Sequence, residues 1–415
     1  MTGVSTLTSL WVWYLVDPKT PRRIGTASLI AATRRVSFTY DEAWKDGGFS
    51  LSPTMALGAP GTRERPILPP AGWLAPGALE DAMPDRWGQS TIRAIDRPKR
   101  LTTLDFLYYA GDRRFGALGV SSDPDVSSDP DVYRPCPENP LLTTASLDEA
   151  NALIQRLIER QPLNERERRM LQSSRSLGGA QPKMLVSIDG EEWIAKFPKQ
   201  DNTDHCLIEH ASMVLAREIG IRTVESCVFP LQAKHVVMTR RFDRSGDRRL
   251  HALSARTMLE REGSEAYATV ADVIREWGHP DKVAEQRQEL FARMVYNILI
   301  DNTDDHTKNH AFIRRADGYY EMAPAYDIPP QMNGLGEQAI PVADGSGSGF
   351  EAAIDNCARF GLTHDEAVGV WGKVADGVSR WKEVFRSVGV LDTDLDYLAD
   401  YLDSEEMLRL RAAGG

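Results

Sequence analysis

The sequence predicts an α+β protein of two lobes, in which N-terminal α/β subdomains precede a mostly helical C-terminal lobe. Three observations lead there. The chain has 415 residues, 42% of them apolar, and one hydrophobic core rarely grows past about 250–300 residues, so two domains are expected. Residues 184–197, "MLVSIDGEEWIAKF", alternate in character around Asp189-Gly190, and period two broken by a tight turn marks a β-hairpin. After about residue 246 the apolar positions recur at helical spacing, as in "HDEAVGVWGKVADGVSRWKEVF".

Taken in order, "SLWVWYLV" (9–16) and "RVSFTYD" (35–41) are aromatic and β-branched runs that predict strands. Pro/Gly-rich connections follow, then helices at "PDRWGQSTIRAI" (84–95) and "TLDFLYYAG" (103–111). "SSDPDVSSDPDV" (121–132) writes one hexapeptide twice. Two copies cannot build a solenoid, and proline with aspartate favours turns, so it is a solvated connector and a domain boundary. "SLDEANALIQRLIER" predicts a helix capped by Ser146 or Asp148. In the hairpin that follows, Met184, Val186 and Ile188 share one face, and the return strand runs from Trp193 to Phe197. "LIEHASMVLAREIGI" is helical, "HVVMTRRFD" is a strand, and the remainder is mostly helical. There Thr363 and Glu366 have capping-box spacing, and Val370, Val374, Val378, Trp381 and Phe385 form a core-facing stripe. The expected domains are 1–145 with a connector at 121–140, 146–245, and 246–415. The order of glycine turn, hairpin, helix, strand, linker and helical lobe is that of a two-lobed kinase.

Composition excludes some functions. A net charge of −11 argues against a surface that grips nucleic acid or anionic lipid throughout. The four cysteines (Cys136, Cys206, Cys227, Cys357) lie far apart and are expected as reduced thiols, neither zinc ligands nor a disulfide frame. "MTGVSTLTSLWVWYLVD" lacks the basic start of a signal peptide, and no apolar run reaches membrane-spanning length. A cytoplasmic location is expected.

The chemistry concentrates in "DNTDDHTKNH", residues 301–310, directly after the apolar helical run "FARMVYNILI". Phosphoryl transfer needs a carboxylate to guide and deprotonate a hydroxyl, oxygen ligands for Mg²⁺, and donors over the phosphates. Asp304 and Asn309 stand five residues apart, the Asp-to-Asn spacing of a kinase catalytic loop. Asp327 in "MAPAYDI" supplies a second carboxylate after a strand. Upstream, "SRSLGGAQPK" (174–183) places adjacent glycines and Lys183 just before the hairpin, suited to backbone N–H groups turned around phosphate oxygens. Lys196 on the return strand lies thirteen residues before Glu209, so the two suit a phosphate-holding lysine and its ion-pair partner. Either residue also suits an ordinary surface role.

These residues resemble the HipA-like serine/threonine protein kinases, toxin halves of bacterial toxin–antitoxin pairs. "SLGGAQPK", "WIAKFP", "RRFDR", "NTDDHTKNHAFI" and "MAPAYDI" carry the resemblance across residues 174–328. The first 115 residues, from "GTASL" through "FTYDEAW" and "FSLSP" to "GDRRFGALGV", resemble that family's N-terminal subdomain. The resemblance implies ATP and Mg²⁺ as cofactors, Asp304 as the catalytic aspartate, and Asn309 with Asp327 as metal ligands. It implies a phosphate loop from Gly178 to Lys183, through Gly179, Ala180 and Gln181, with Lys196 on the ATP phosphates. Arg240 and Phe242 would border adenine, Asp243 would lie near the ribose, and His306, counted with the ATP-binding residues, would order the catalytic loop. Ser176 falls where family members autophosphorylate, and a phosphate there would repel ATP and push the loop outward. Arg240 departs from the glutamate that relatives often carry. Implied partners are a helix-turn-helix antitoxin (HipB-like), operator DNA through that antitoxin, and a protein substrate such as an aminoacyl-tRNA synthetase.

Two rival readings stand beside this one. His306 and His310 have the i, i+4 spacing of helical zinc ligands, but Thr307 stands where a metalloprotease has glutamate. A non-catalytic co-repressor that only binds an antitoxin would not need every catalytic position filled. "DGSGSGF" (344–350) lacks the full glycine-loop pattern and predicts a connector, and no Walker A sequence is present.

Overall fold

The computed structural model describes residues 7–63, 65–96, 101–122, 132–332 and 338–413. Residues 123–131, most of the duplicated connector, fall outside them. The chain divides into two units, Met1–Lys196 with Asp243–Leu253, and Phe197–Phe242 with Ser254–Gly415.

The first unit begins with β1 (Ser9–Tyr14), β2 (Arg22–Ile30) and β3 (Arg35–Tyr40), with β2 antiparallel to both of the others. Helices α1 (Glu42–Lys45), α2 (Gly77–Asp81), α3 (Arg86–Ile95) and α4 (Thr103–Tyr109) follow. β4 (Leu118–Ser121) completes a sheet of order β3-β2-β1-β4. The core is apolar: Val12, Ile24, Phe38, Leu104 and Leu107 are fully buried. β2 gave no strand signal in the sequence because Arg22, Arg23 and Gly25 interrupt its alternation. Gly25 is required by close approach, since a Cβ there would overlap the carbonyl oxygen of Thr39 on β3.

β5 (Leu142–Thr143), α5 (Leu147–Ile158), α6 (Glu165–Leu171), β6 (Lys183–Ile188) and β7 (Glu191–Lys196) finish this stretch. β6 and β7 form the expected hairpin, and Asp189 (φ 52°) with Gly190 (φ 84°) gives the left-handed pair of a type I′ turn. β5 runs parallel to β6, and α3 packs on α6 and on the 3₁₀ turn Gln172–Ser174. These contacts tie residues 146–196 to the N-terminal part, so the divisions drawn from sequence at 145 and 245 do not coincide with the two units.

The second unit opens on α7 (His205–Ile219), capped by the Asp204 side chain and closed by Gly220 at φ 101°. β8 (Ser226–Pro230) and β9 (His235–Arg240) form an antiparallel hairpin. β10 (Arg244–Ser245) and β11 (Arg248–Arg249) belong to the first unit, and β12 (Ala252–Ser254) leads back out of it. Then come α8 (Ala255–Met258), α9 (Tyr267–Trp277), α10 (Val283–Leu299), β13 (Ala311–Arg314), β14 (Tyr320–Met322) and α11 (Phe350–Asp355). α12 (His364–Ser379), α13 (Trp381–Ser387), α14 (Asp392–Leu402) and α15 (Glu405–Ala412) close the chain. α10 packs against α9 and α12, and α7 against α12 and α13.

The Thr363–Glu366 capping box forms as expected. The stripe behind it is buried at Val374, Val378, Trp381 and Phe385, yet the helix breaks at Arg380 into α12 and α13. Trp371, outside that stripe, is fully buried beside Phe350. All four cysteines are free thiols. Among the described residues no helix is long and apolar enough to cross a membrane.

Gly25→Ala should lower unfolding free energy by about 1–3 kcal/mol, as overpacking against backbone does; urea denaturation of the full chain checks this.

Candidate active site

Residues 301–310 leave α10 and fold as a turn, a short loop and a 3₁₀ turn over Thr307–Asn309. The charge of this segment is sorted by burial. Asp301, Asn302, Thr303, Asp305, Thr307 and His310 are buried, whereas Asp304 and His306 are exposed. The buried members form one network around the Asp305 carboxylate. Tyr267, the first residue of α9, donates its phenol proton to Asp305 Oδ2. His310 Nε2 lies 3.2 Å from that oxygen and 3.1 Å from Oδ1. Asn297 of α10 donates to the Tyr267 hydroxyl at 3.0 Å, and Asn302 donates to Asn297 at 3.1 Å. Burial, followed by the charge of Asp305, pushes the Tyr267 phenol well above its ordinary pKa, so it remains a donor. Thr307 donates to Glu265, and Ala339 N–H donates to the Thr303 carbonyl at 3.1 Å.

Against this anchored backbone stand the groups with chemistry. Asn309 Nδ2 donates to the Asp304 carbonyl at 3.3 Å, which couples the two residues. The Tyr326 hydroxyl donates to the Lys308 carbonyl at 2.8 Å, which fastens the segment entering Asp327 to the Asn309 turn. Ala325 is held from its other side, with Val224 N–H donating to its carbonyl at 2.9 Å. Asp327 itself is left-handed at φ 55°, a conformation uncommon for non-glycine residues and concentrated at functional sites. Phe242, just past β9, stacks on Tyr326 with ring centroids 5.3 Å apart and planes 27° apart. Thus the backbone segments that carry Asp304, Asn309, Asp327 and Phe242 are joined within the second unit. Their donor set is hard oxygen, with one carboxylate and one amide for a metal, which suits Mg²⁺ completing its shell with water and phosphate.

Arg240 is exposed at the end of β9, 3.4 Å from Glu225. Glu209 is buried on α7. His306 contributes its carbonyl to Asn309 N–H at 2.7 Å, which orders the turn. The zinc reading of His306 with His310 is corrected here: the former is exposed, and the latter is buried with its Nε2 on Asp305.

The first unit holds the other expected residues. Gly178 and Gly179 form a turn, with Gly179 at φ 78° and Lys183 Nζ 2.8 Å from where a Cβ would stand. Ala180 is exposed and Gln181 half-buried in the same turn. Lys183 lies opposite Lys196 in the hairpin register. Two ammonium side chains thus leave the hairpin on the same face. Ser176 is buried at the base of this turn. Asp243 is buried too, and its Oδ2 accepts from Gly116 N–H at 2.8 Å and from Arg244 at 3.0 Å. That is the geometry of a turn anchor, and sequence spacing gave no sign of it.

Two family models match this chain: the HipA N-terminal domain over residues 20–121 and the HipA-like C-terminal domain over 175–381. HipA of Shewanella oneidensis MR-1, solved with HipB and operator DNA, superposes with a TM-score of 0.65 at 17% identity, covering 97% of this chain and 96% of that one. This is the two-lobed α+β fold expected from the sequence. The chain belongs to the HipA-like family. A curated relative described as a putative kinase of Haemophilus influenzae is 26% identical over 183 residues, covering 38% of this chain and 53% of that protein. The chain therefore spans about half the length of that relative. The Helicobacter pylori proinflammatory kinase CtkA gives a TM-score of 0.36 at 16% identity over 55% of this chain and 94% of that one, too slight to argue from.

Burial, and to a lesser degree Glu406, raises the Asp301 carboxyl from 3.8 to about 6. The folded state therefore holds the proton more tightly, so stability falls as pH rises from about 4 to about 6 and then levels. Asp301 is left-handed at φ 55°, which asparagine tolerates. Asp301→Asn should be more stable than the parent above pH 6, by about 1–2 kcal/mol once partial screening by solvent is allowed for, and match it near pH 3.5; thermal melts across this range check the difference.

Proposed function

We propose that this chain is an ATP- and Mg²⁺-dependent serine/threonine protein kinase that acts as a growth-inhibiting toxin. The observation that carries the reading is the exposed Asp304 bound through its carbonyl to Asn309, with Tyr326 fastening the approach to Asp327 onto the same turn. Asp304 accepts the proton of the substrate hydroxyl as that oxygen attacks the terminal phosphorus. Asn309 and Asp327 would hold Mg²⁺, which when bound neutralises phosphate charge. Lys183, Lys196 and the Gly178–Gly179 turn take the phosphates, and Phe242 borders the base. Family members carry this chemistry into toxin–antitoxin pairs, and the Shewanella relative is solved with HipB and operator DNA. By analogy this chain pairs with a helix-turn-helix antitoxin that supplies most of the DNA contact, in keeping with its own charge of −11. An aminoacyl-tRNA synthetase is the substrate class proposed.

Ser176 is the proposed autophosphorylation site. It is buried, so a phosphate there requires the segment to leave its seat, and that departure would switch the enzyme off. Phosphopeptide mapping after incubation with ATP should find Ser176 modified; phosphate only elsewhere removes this part of the reading.

Asp304→Ala should fold like the parent and lose about 10²–10⁴-fold in ATP-dependent phosphorylation rate. Phosphoproteomics after induced expression, with the Asp304 variant as reference, should reveal the substrate; equal phosphorylation by both defeats the assignment.

A further inference from the structure

The glycine turn does not hold itself. Its outer edge is seated on α3, which lies some ninety residues earlier in the chain and inside the matched HipA N-terminal domain. Asp85 precedes α3 at the position where an aspartate ordinarily caps its own helix, yet its side chain makes no such bond. It accepts instead from Gly179 N–H at 3.3 Å, and a Cβ on Gly178 would stand 2.8 Å from the same carboxylate. Trp87 N–H donates to the Gly179 carbonyl at 3.1 Å, and the Trp87 indole N–H donates to the Lys183 carbonyl at 2.6 Å. Gly88 completes the seat: a Cβ there would lie 2.6 Å from the carbonyl oxygens of both Arg175 and Leu177.

These contacts join polar groups of α3 to the backbone of the turn, which is not how apolar packing alone joins two elements. They also set its polarity. A trans peptide directs the N–H of one residue opposite to the C=O of the residue before it. With the Gly179 carbonyl turned into Trp87, the Ala180 N–H points away from α3, and an outward N–H beside Lys183 is what an anion needs. The indole bond to the Lys183 carbonyl fixes the residue where β6 begins, and with it the register that sets Lys183 opposite Lys196.

We propose that α3 of the N-terminal domain is a working part of the nucleotide site, with Asp85, Trp87 and Gly88 as positioning residues that hold the 175–183 turn in its phosphate-receiving shape. This rests on the reading of that turn as the phosphate loop. It gives the N-terminal domain a role in catalysis besides any partner it binds.

The test measures Mg·ATP and adenosine affinity by calorimetry on the full chain and three variants. Trp87→Phe keeps the ring and loses the indole donor; it should weaken ATP about three- to tenfold, the worth of one hydrogen bond, and leave adenosine unchanged. Gly88→Ala should weaken ATP further, again without changing adenosine. Lys183→Ala tests the underlying reading and should weaken ATP as well. Parental ATP affinity in both α3 variants, with ATP binding lost in Lys183→Ala, overturns the positioning role alone. Equal weakening of ATP and adenosine in Trp87→Phe marks general destabilisation and also overturns it. Parental ATP affinity in Lys183→Ala removes the phosphate-loop reading and this inference with it.

Discussion

A buried carboxylate governs the working loop of this protein. Asp305 is fully buried and would be costly there without partners. Tyr267 and the His310 ring meet it directly, Asn297 braces Tyr267, and Asn302 braces Asn297. These groups come from α9, from the end of α10 and from the loop itself, so the network around one charge ties three pieces of backbone together. Asp304, the residue just before it in the chain, is thereby held outward and exposed. The crowding of charge beside an apolar helix thus has a division of labour: one aspartate shapes the loop, and its neighbour, the proposed base, is left exposed.

The remaining site follows the same logic of backbone first and side chain second. Tyr326 joins the Asp327 approach to the Asn309 turn through its hydroxyl while its ring stacks on Phe242. One side chain therefore links the expected metal ligands to the segment expected beside adenine. In the other unit, α3 does for the glycine turn what Asp305 does for the catalytic loop. Neither Trp87 nor Tyr326 performs chemistry in this scheme, yet each sets where the reactive groups begin.

Much of this was legible in the sequence wherever the signal is local. The β6–β7 hairpin shows itself through alternation about Asp189-Gly190, and α12 through its capping box. Asp304, Asn309 and Asp327 stand in short motifs whose spacing is itself the signal. The break at Arg380 was hidden because Val378, Trp381 and Phe385 keep helical spacing across it, so the stripe reads as continuous. Asp305 gives no signal although it adjoins Asp304, since a second aspartate in a polar loop has no spacing of its own to mark it. Its partners Tyr267 and Asn297 lie too far along the chain for periodicity to connect them. The same distance conceals the seat of the glycine turn on α3 and the use of Asp243 as an anchor for Gly116 and Arg244.

If Asp305 sets the loop, then removing one of its donors should damage turnover while sparing nucleotide binding. The direct measurement is the rate of phosphoryl transfer from labelled ATP by Tyr267→Phe, with ATP affinity measured alongside. A loop freed by a fraction of an ångström should lose roughly ten- to a hundredfold in rate at unchanged ATP affinity. A parental rate from a correctly folded variant would contradict the role given to the buried carboxylate.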